Sequence, residues 1–361
     1  MAKKISNNIP ELGLSLASYT GKQVITRIGD EIIKDVIISV FSGGNIRSLT
    51  EPLTRRRITL SSASLLITFL RSTKNVEGFP ENMNELISKE LTTNISKEKK
   101  IYLQWMLGLT GKSIQNVLRG NDSTSLASYL NDLDNTLKNT IDQAREDFGN
   151  IKSNFYLEKS DDNILLNWPS LLQLFIAIGT QTLAIRGSEK SMYGKLFEKL
   201  ILGSLLRVLG FKLIDPNTST ESNMVFWLSQ RGSKRESDAT LLLKPGVGAR
   251  FDIGFIGPGN TEISLDKVSR FEREMEHGSS LHFMSTIIIV DRIGAGSRIT
   301  EMAEEIDGNI VQMSMAFWVK EIAKILNEKL GLDHAILDMS DAESINYIEK
   351  EVRKIDLNSF V

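Results

Sequence analysis

Apolar positions recur at helical spacing along roughly the first 160 residues, as in the stripe Leu126, Tyr129, Leu130, Leu133, Leu137 and Ile141. Residues three and four apart share one face of a helix, so the pattern predicts helices over 29–41, 61–70, 81–92, 97–107, 112–118 and 126–148. The stretch 155–168, which includes Ser160, Asp161, Asp162 and Asn163, is polar and turn-prone and marks a boundary. It divides the chain into a mainly helical region, 1–160, and a second domain, 161–361. The apolar run 171–178 opens a helix that reaches Leu183. A further helix is predicted over 191–209, with Phe197, Leu200, Ile201, Leu205, Val208 and Leu209 on one face and Gly210 as its stop. Glu198 stands on the border of that stripe.

After Pro216 the periodicity changes. Strands are predicted over 238–244, 250–256 and 261–265, with a turn at 245–248, and a helix over 266–277 carries Val268, Phe271 and Met275 on one side. The unbroken β-branched run 285–290 reads as a buried strand, central and parallel. A helix over 298–306, a strand over 309–313 and a helix over 316–330 follow. Helices alternating with strands after a helical half predict an α/β fold with a mixed sheet.

Composition narrows the chemistry. With 41% apolar and 24% charged residues in a chain of 361, a sizeable core is possible. The absence of cysteine excludes disulfides, thiolate nucleophiles and cysteine-zinc sites, and fits a cytoplasmic location. His277, His282 and His334 are too scattered for a histidine-rich metal site. The N-terminus lacks the apolar stretch of a signal peptide, and the most apolar runs are shorter than a membrane span. The net charge of −2 means that a nucleic-acid partner needs a local basic patch. Arg231, Lys234 and Arg235 form one such cluster, and Arg55, Arg56 and Arg57 another. Either suits phosphate contact, and either could be a solvated run.

The text FDIGFIGPGNTEIS, residues 251–264, raises a sharper question. With a three-residue loop of Gly257, Pro258 and Gly259, Gly254 faces Glu262 and Asp252 faces Ser264, so these polar side chains share one face. A loop of two or four residues turns Asp252 to the other face. Two neighbouring carboxylates repel unless a hard cation such as Mg²⁺ bridges them. The ordinary alternative is the solvated face of a hairpin. Glu236 and Asp238 flank the preceding strand, where strand-end solvation competes with metal or substrate contact.

The order of elements, with Glu198 on a helix, Asp252 on a strand and Glu262-Ile263-Ser264 on the next, resembles the core of the PD-(D/E)XK nucleases. Their signature is an acid at the second strand and an acid-x-lysine triplet on the third. The text YGKLFEKLILGSLLRVLGF, RESDATL and FDIGFIGPGNTEISLDKVSRFERE is similar to type II restriction endonucleases of the CfrBI-like group. The resemblance covers roughly 191–290. It implies a Mg²⁺-dependent enzyme that hydrolyses double-stranded DNA at a specific, palindromic site, leaves a 5′ phosphate, works as a homodimer and has a cognate DNA methyltransferase. By position, Asp252 and Glu262 are the implied metal ligands and Glu198 a supporting acid. Ser264 occupies the lysine position and brings no positive charge, so Lys267, Lys244 or Lys195 would have to reach in. That departure motivates two alternatives, a non-catalytic DNA-binding protein on a decayed nuclease fold and a non-specific or repair nuclease.

Several other strings carry less. Residues 109–113 end like a phosphate-binding loop, but Met106 stands where that motif needs glycine and no strand precedes. The same region has a helix-turn-helix look around Gly108–Gly111. The glycines of 254–259 do not match the dinucleotide fingerprint, and a strand is predicted to follow them. Phe317 and Trp318 suit core or dimer packing better than base stacking.

Overall fold

The computed structural model describes residues 4–18, 21–117, 123–158, 162–229, 237–254, 283–291 and 308–361. In chain order its helices are α1 (Glu11–Ala17), α2 (Gly21–Ile28), α3 (Asp30–Phe41), α4 (Ile46–Asn75), α5 (Met83–Leu91), α6 (Lys97–Met106), α7 (Gly111–Val117), α8 (Ser123–Phe148), α9 (Trp168–Val208), α10 (Trp318–Leu330) and α11 (Asp341–Arg353). The strands are β1 (Lys152–Leu157), β2 (Asp162–Asn167), β3 (Lys212–Leu213), β4 (Val225–Leu228), β5 (Ala239–Lys244), β6 (Val247–Gly254), β7 (Phe283–Val290) and β8 (Gly308–Gln312). They divide into two compact units, Met1–Tyr19 with Pro52–Lys190, and Thr20–Glu51 with Ser191–Val361.

The first unit is mostly helical. Its core joins Leu65 and Phe69 of α4, Met83 and Ile87 of α5, Tyr102, Leu103 and Met106 of α6, and Leu174 and Ala177 of α9. The buried carboxylate of Glu90 accepts from the backbone N–H groups of Ile5 and Ser6, which ties the N-terminal turn to α5. The polar, turn-prone stretch around residue 160 lies between the strands of the antiparallel ribbon β1–β2. One side of that ribbon, with Ile164 and Leu166, packs on Leu70 and Leu171. The two helices expected on either side of residue 187 form one helix, α9, despite the roughly 1 kcal/mol cost of an interior glycine. By length and apolar composition α9 could cross a membrane. Its buried Leu174, Ala177, Ile185, Phe197, Leu200 and Leu205 give that composition a packing role.

The second unit is built on a sheet ordered β3-β4-β5-β6-β7-β8. β4, β5 and β6 run antiparallel in succession, then β7 lies parallel to β6 and β8 parallel to β7. This is the expected α/β architecture with a mixed sheet. Pro245 and Gly246 make the β5–β6 turn, with Gly246 at φ +76 as a tight turn with proline ahead of glycine requires. At the end of α9, Gly210 is left-handed and the Phe211 N–H donates to the Leu206 carbonyl, so the predicted stop is in place. Phe226, Leu241, Ala249, Phe251, Ile287 and Ile289 lie on one face of the sheet, and all are fully buried. Helix α10 packs against β6 and β8. Its Trp318 is fully buried, donates Nε1–H to the Val40 carbonyl at 2.8 Å and meets the Phe41 ring edge-on.

Candidate active site

The alternation of β6 puts Phe251 and Ile253 into the core and turns Arg250, Asp252 and Gly254 to the opposite face. The ladder fixes their neighbours. On one side Arg250 pairs with Thr240 and Phe251 with Ala239 of β5; on the other Arg250 pairs with Thr286 and Asp252 with Ile288 of β7. The ladder ends at Ala239↔Phe251, one residue short of Asp238. The Ile253 N–H donates to Asp238 Oδ2 at 2.9 Å, and the Asp238 carbonyl accepts from Ser229. The bond from the Ile253 N–H brings the Asp238 carboxylate next to the Asp252–Ile253 backbone at the end of the β5–β6 ladder, and both aspartates are partly exposed.

Both edges of β6 pair with described strands, β5 and β7, and the Glu262 and Ser264 partners drawn from the sequence lie outside the described residues. Glu262, Ser264 and Lys267 lie outside the described residues, as do Glu236 and the basic cluster Arg231, Lys234 and Arg235. Glu198 is on α9, half-buried next to the fully buried Phe197. Lys195 is exposed on the same helix. Lys244 is at the far end of β5, six residues from Asp238, or about 20 Å along an extended strand, so it does not serve the acid pair. Asp291, buried at the end of β7, donates its N–H to the Gly254 carbonyl at 3.2 Å.

The arginine triplet of α4 separates into two kinds. Arg55 and Arg56 are exposed, whereas Arg57 is only 5% exposed. Its Nε and Nη2 donate to the Leu16 carbonyl at 3.0 and 2.7 Å, and Nη2 also reaches the Ala17 carbonyl. Arg57 satisfies carbonyls left open at the end of α1, so the expectation of a phosphate contact is corrected for this residue. The string resembling a phosphate-binding loop is a helix cap: Thr110 Oγ1 accepts from the Ser113 N–H at the start of α7, and the preceding element is a helix.

Sequence reasoning placed Asp238 at a strand end and did not pair it with Asp252. Counting back from the turn Pro245-Gly246, with Lys244 opposite Val247, sets Asp238 opposite Ile253; the bulge at Leu242–Lys244, which the sequence does not announce, shifts the count one residue toward Asp252. Among the described residues no group of three acidic or histidine side chains is arranged to hold a metal, so the pair is the unit to consider. Its donors are hard carboxylate oxygens without nitrogen or sulfur, which fits Mg²⁺ or a similar cation.

Comparison with known proteins decides the family. The model of the CfrBI restriction endonuclease family matches residues 30–298. The chain belongs to that family. It is also 38% identical over 364 residues to the type II restriction enzyme CfrBI of Citrobacter freundii, covering 99% of each chain. The family match contains both Asp238 and Asp252 and begins within the second unit, at α3. No solved structure matches the chain.

Proposed function

We propose that this member of the CfrBI family cuts double-stranded DNA at a specific site, using Asp238 and Asp252 as the acidic pair of its active site. Site-specific DNA cleavage follows from the full-length match to a type II restriction enzyme. The observation that supports the site is the bond from the Ile253 N–H to Asp238 Oδ2 at the end of the β5–β6 ladder, which brings Asp238 next to Asp252. The succession of α9, the meander β4–β5–β6 and the parallel strand β7 supports a PD-(D/E)XK core. On that reading the acid of the second strand is Asp238, and the triplet on the third is Asp252-Ile253-Gly254.

Type II restriction enzymes generally use divalent metal ions, and two adjacent carboxylates repel without one. A bound Mg²⁺ would supply positive charge at the phosphoryl oxygens and lower the pKa of a water. Asp238 and Asp252 would hold it, with Glu198 as a supporting acid from α9. In the hydrolysis the water oxygen bonds to phosphorus, the P–O3′ bond breaks and the leaving oxygen takes up a proton, giving a 3′-hydroxyl and a 5′-phosphate. Asp238 is fixed by its bond from the Ile253 N–H and Asp252 by its place between paired strands. Palindromic recognition would need a homodimer, one protomer for each strand. A cognate methyltransferase would protect the host DNA, and a cytoplasmic location would place the enzyme with its substrate.

Incubation of the full-length protein with unmethylated DNA of mixed sequence and Mg²⁺ tests this. Discrete fragments are expected. A smear would move the protein to the non-specific nucleases. Absence of cutting with Mg²⁺, Mn²⁺ or Co²⁺, together with retained DNA binding, would support the non-catalytic alternative.

A further inference from the structure

We infer that the outward face of α9 around Gly179 is where a second copy of this chain docks, two-fold symmetrically, with Phe175 of each protomer against Leu183 of the other. The inference rests on the homodimer reading above and adds the surface to it. From Trp168 to Ile185 the helix carries no charged residue. At 3.6 residues per turn, Trp168, Leu172, Phe175, Gly179 and Leu183 fall on one face. Leu174, Ala177 and Ile185 fall on the other and belong to the core of the first unit. The outward face is left uncovered: Phe175 is 56% exposed and Leu183 69%. Phe148, 78% exposed, sets its ring 6.3 Å from that of Trp168, so the apolar strip continues past the start of the helix. Trp168 is held there by its Nε1–H, which donates to the Gly149 carbonyl at 2.7 Å.

A contiguous apolar strip, unlike single exposed side chains, marks an interaction surface. Its chemistry narrows the occupant. A phosphate backbone calls for cations, and residues 168–185 offer none. A charged protein surface would bury charge without a partner. A bilayer span needs apolar surface all round, whereas the inner side of this helix is packed and includes the buried Gln173 and Gln181. An uncharged face takes an uncharged face, and the spacing selects this chain's own. Phe175 and Leu183 stand four residues to either side of Gly179, about 6 Å each way along the helix axis. In a two-fold interface residue i meets j and j meets i. With the axis at Gly179 and the helices antiparallel, each Phe175 meets a Leu183 and each Ile176 a Thr182. Gly179 is exposed, and a Cβ built on it meets nothing within 4 Å, so two backbones can approach closely at the crossing. A stable dimer buries about 800 Å² per partner. The strip, about 22 Å long from Trp168 to Leu183, forms the apolar centre of such an interface.

The chain has no cysteine, which makes a direct test possible in the full-length protein. Gly179→Cys places its thiol at the axis, and mild oxidation should give a band of twice the chain mass on a non-reducing gel, because Cβ atoms within about 4.5 Å can be joined. Phe175→Cys should cross-link poorly alone and efficiently when mixed with Leu183→Cys. Ile32→Cys, exposed on the second unit, is the control and should stay at single mass. Phe175→Glu with Leu183→Glu should keep the circular dichroism of wild type and weaken self-association by about 10²-fold or more in analytical ultracentrifugation. If wild type is a dimer and neither Gly179→Cys nor the mixed pair cross-links above the control, the interface lies elsewhere: the inference is overturned and the homodimer reading stands. If wild type is a monomer both free and on a duplex it cuts, both fail together. Flotation with phosphatidylcholine vesicles that the double glutamate variant abolishes would make the strip a lipid contact and overturn the inference as well. Should the glutamate variant not fold, the cysteine pairs decide alone.

Discussion

At the scale of single residues, the two aspartates are held differently and should fail alike. Asp252→Asn and Asp238→Asn each remove one carboxylate charge while keeping shape. Each is expected to lower cleavage by about 10³-fold, with DNA binding retained in a gel-shift assay. A variant that keeps near wild-type cutting removes that residue from the site. The arginines of α4 make a contrasting pair of expectations. Arg57→Ala leaves the Leu16 and Ala17 carbonyls without their donor and should destabilise the protein by about 1–3 kcal/mol in denaturant titration. Arg55→Ala with Arg56→Ala should leave stability alone, weaken DNA binding and flatten its salt dependence. The sequence singled out Asp252 because acid, strand and element order coincide there, and it did not join Asp252 to Asp238, because that neighbourhood depends on which strands flank β6, a property of the whole sheet that local spacing cannot carry. Arg57 looked like Arg55 and Arg56 for a similar reason: only α1 distinguishes it.

At the scale of elements, most helices were readable because their stripes are amphipathic, and α3, α6 and α8 lie close to their predicted limits. The exceptions have physical causes. Helix α4 begins well before residue 61, at Ile46, but Pro52 and three successive arginines mask its periodicity. The ribbon β1–β2 was hidden because the sequence between its strands, with Ser160, Asp161 and Asp162, read as a linker. Helix α11 was missed although it opens with a capping box, Ser340 exchanging bonds with Glu343. Ser340→Ala should cost about 1 kcal/mol in thermal or denaturant unfolding. Nearby, His334 caps a short turn: its Nδ1 accepts from the Ile336 N–H at 3.2 Å. Burial pushes its pKa below 6.5, opposed by the Val208 carbonyl and the charges of Asp333 and Glu351. A lowered folded-state value means that the unfolded chain binds the proton first. Stability should therefore be complete above pH 6.5 and decline as the pH falls through that value toward the lowered one. His334→Gln should flatten this part of the stability profile, and an unchanged profile would show that another group governs it.

At the scale of the whole molecule, one question joins site and assembly: how one acid pair per chain cuts two strands. A single Asp238–Asp252 pair serves one phosphodiester at a time, so a homodimer would bring two pairs to one duplex. Light scattering should then report twice the chain mass. A plasmid with one recognition site should pass to the linear form without accumulation of nicked circles. The decisive version mixes wild-type chains with Asp252→Asn chains, refolded or co-expressed so that the protomers exchange. Mixed dimers retain one working pair and should nick, so nicked circles should peak near equal proportions and vanish at either extreme of the wild-type fraction. If the two chains act independently, nicked product will show no such maximum and the rate will scale simply with the wild-type fraction. A linear product from mixed dimers alone would mean that one pair cuts both strands in turn, and the role assigned to the second protomer would then be recognition instead of cleavage.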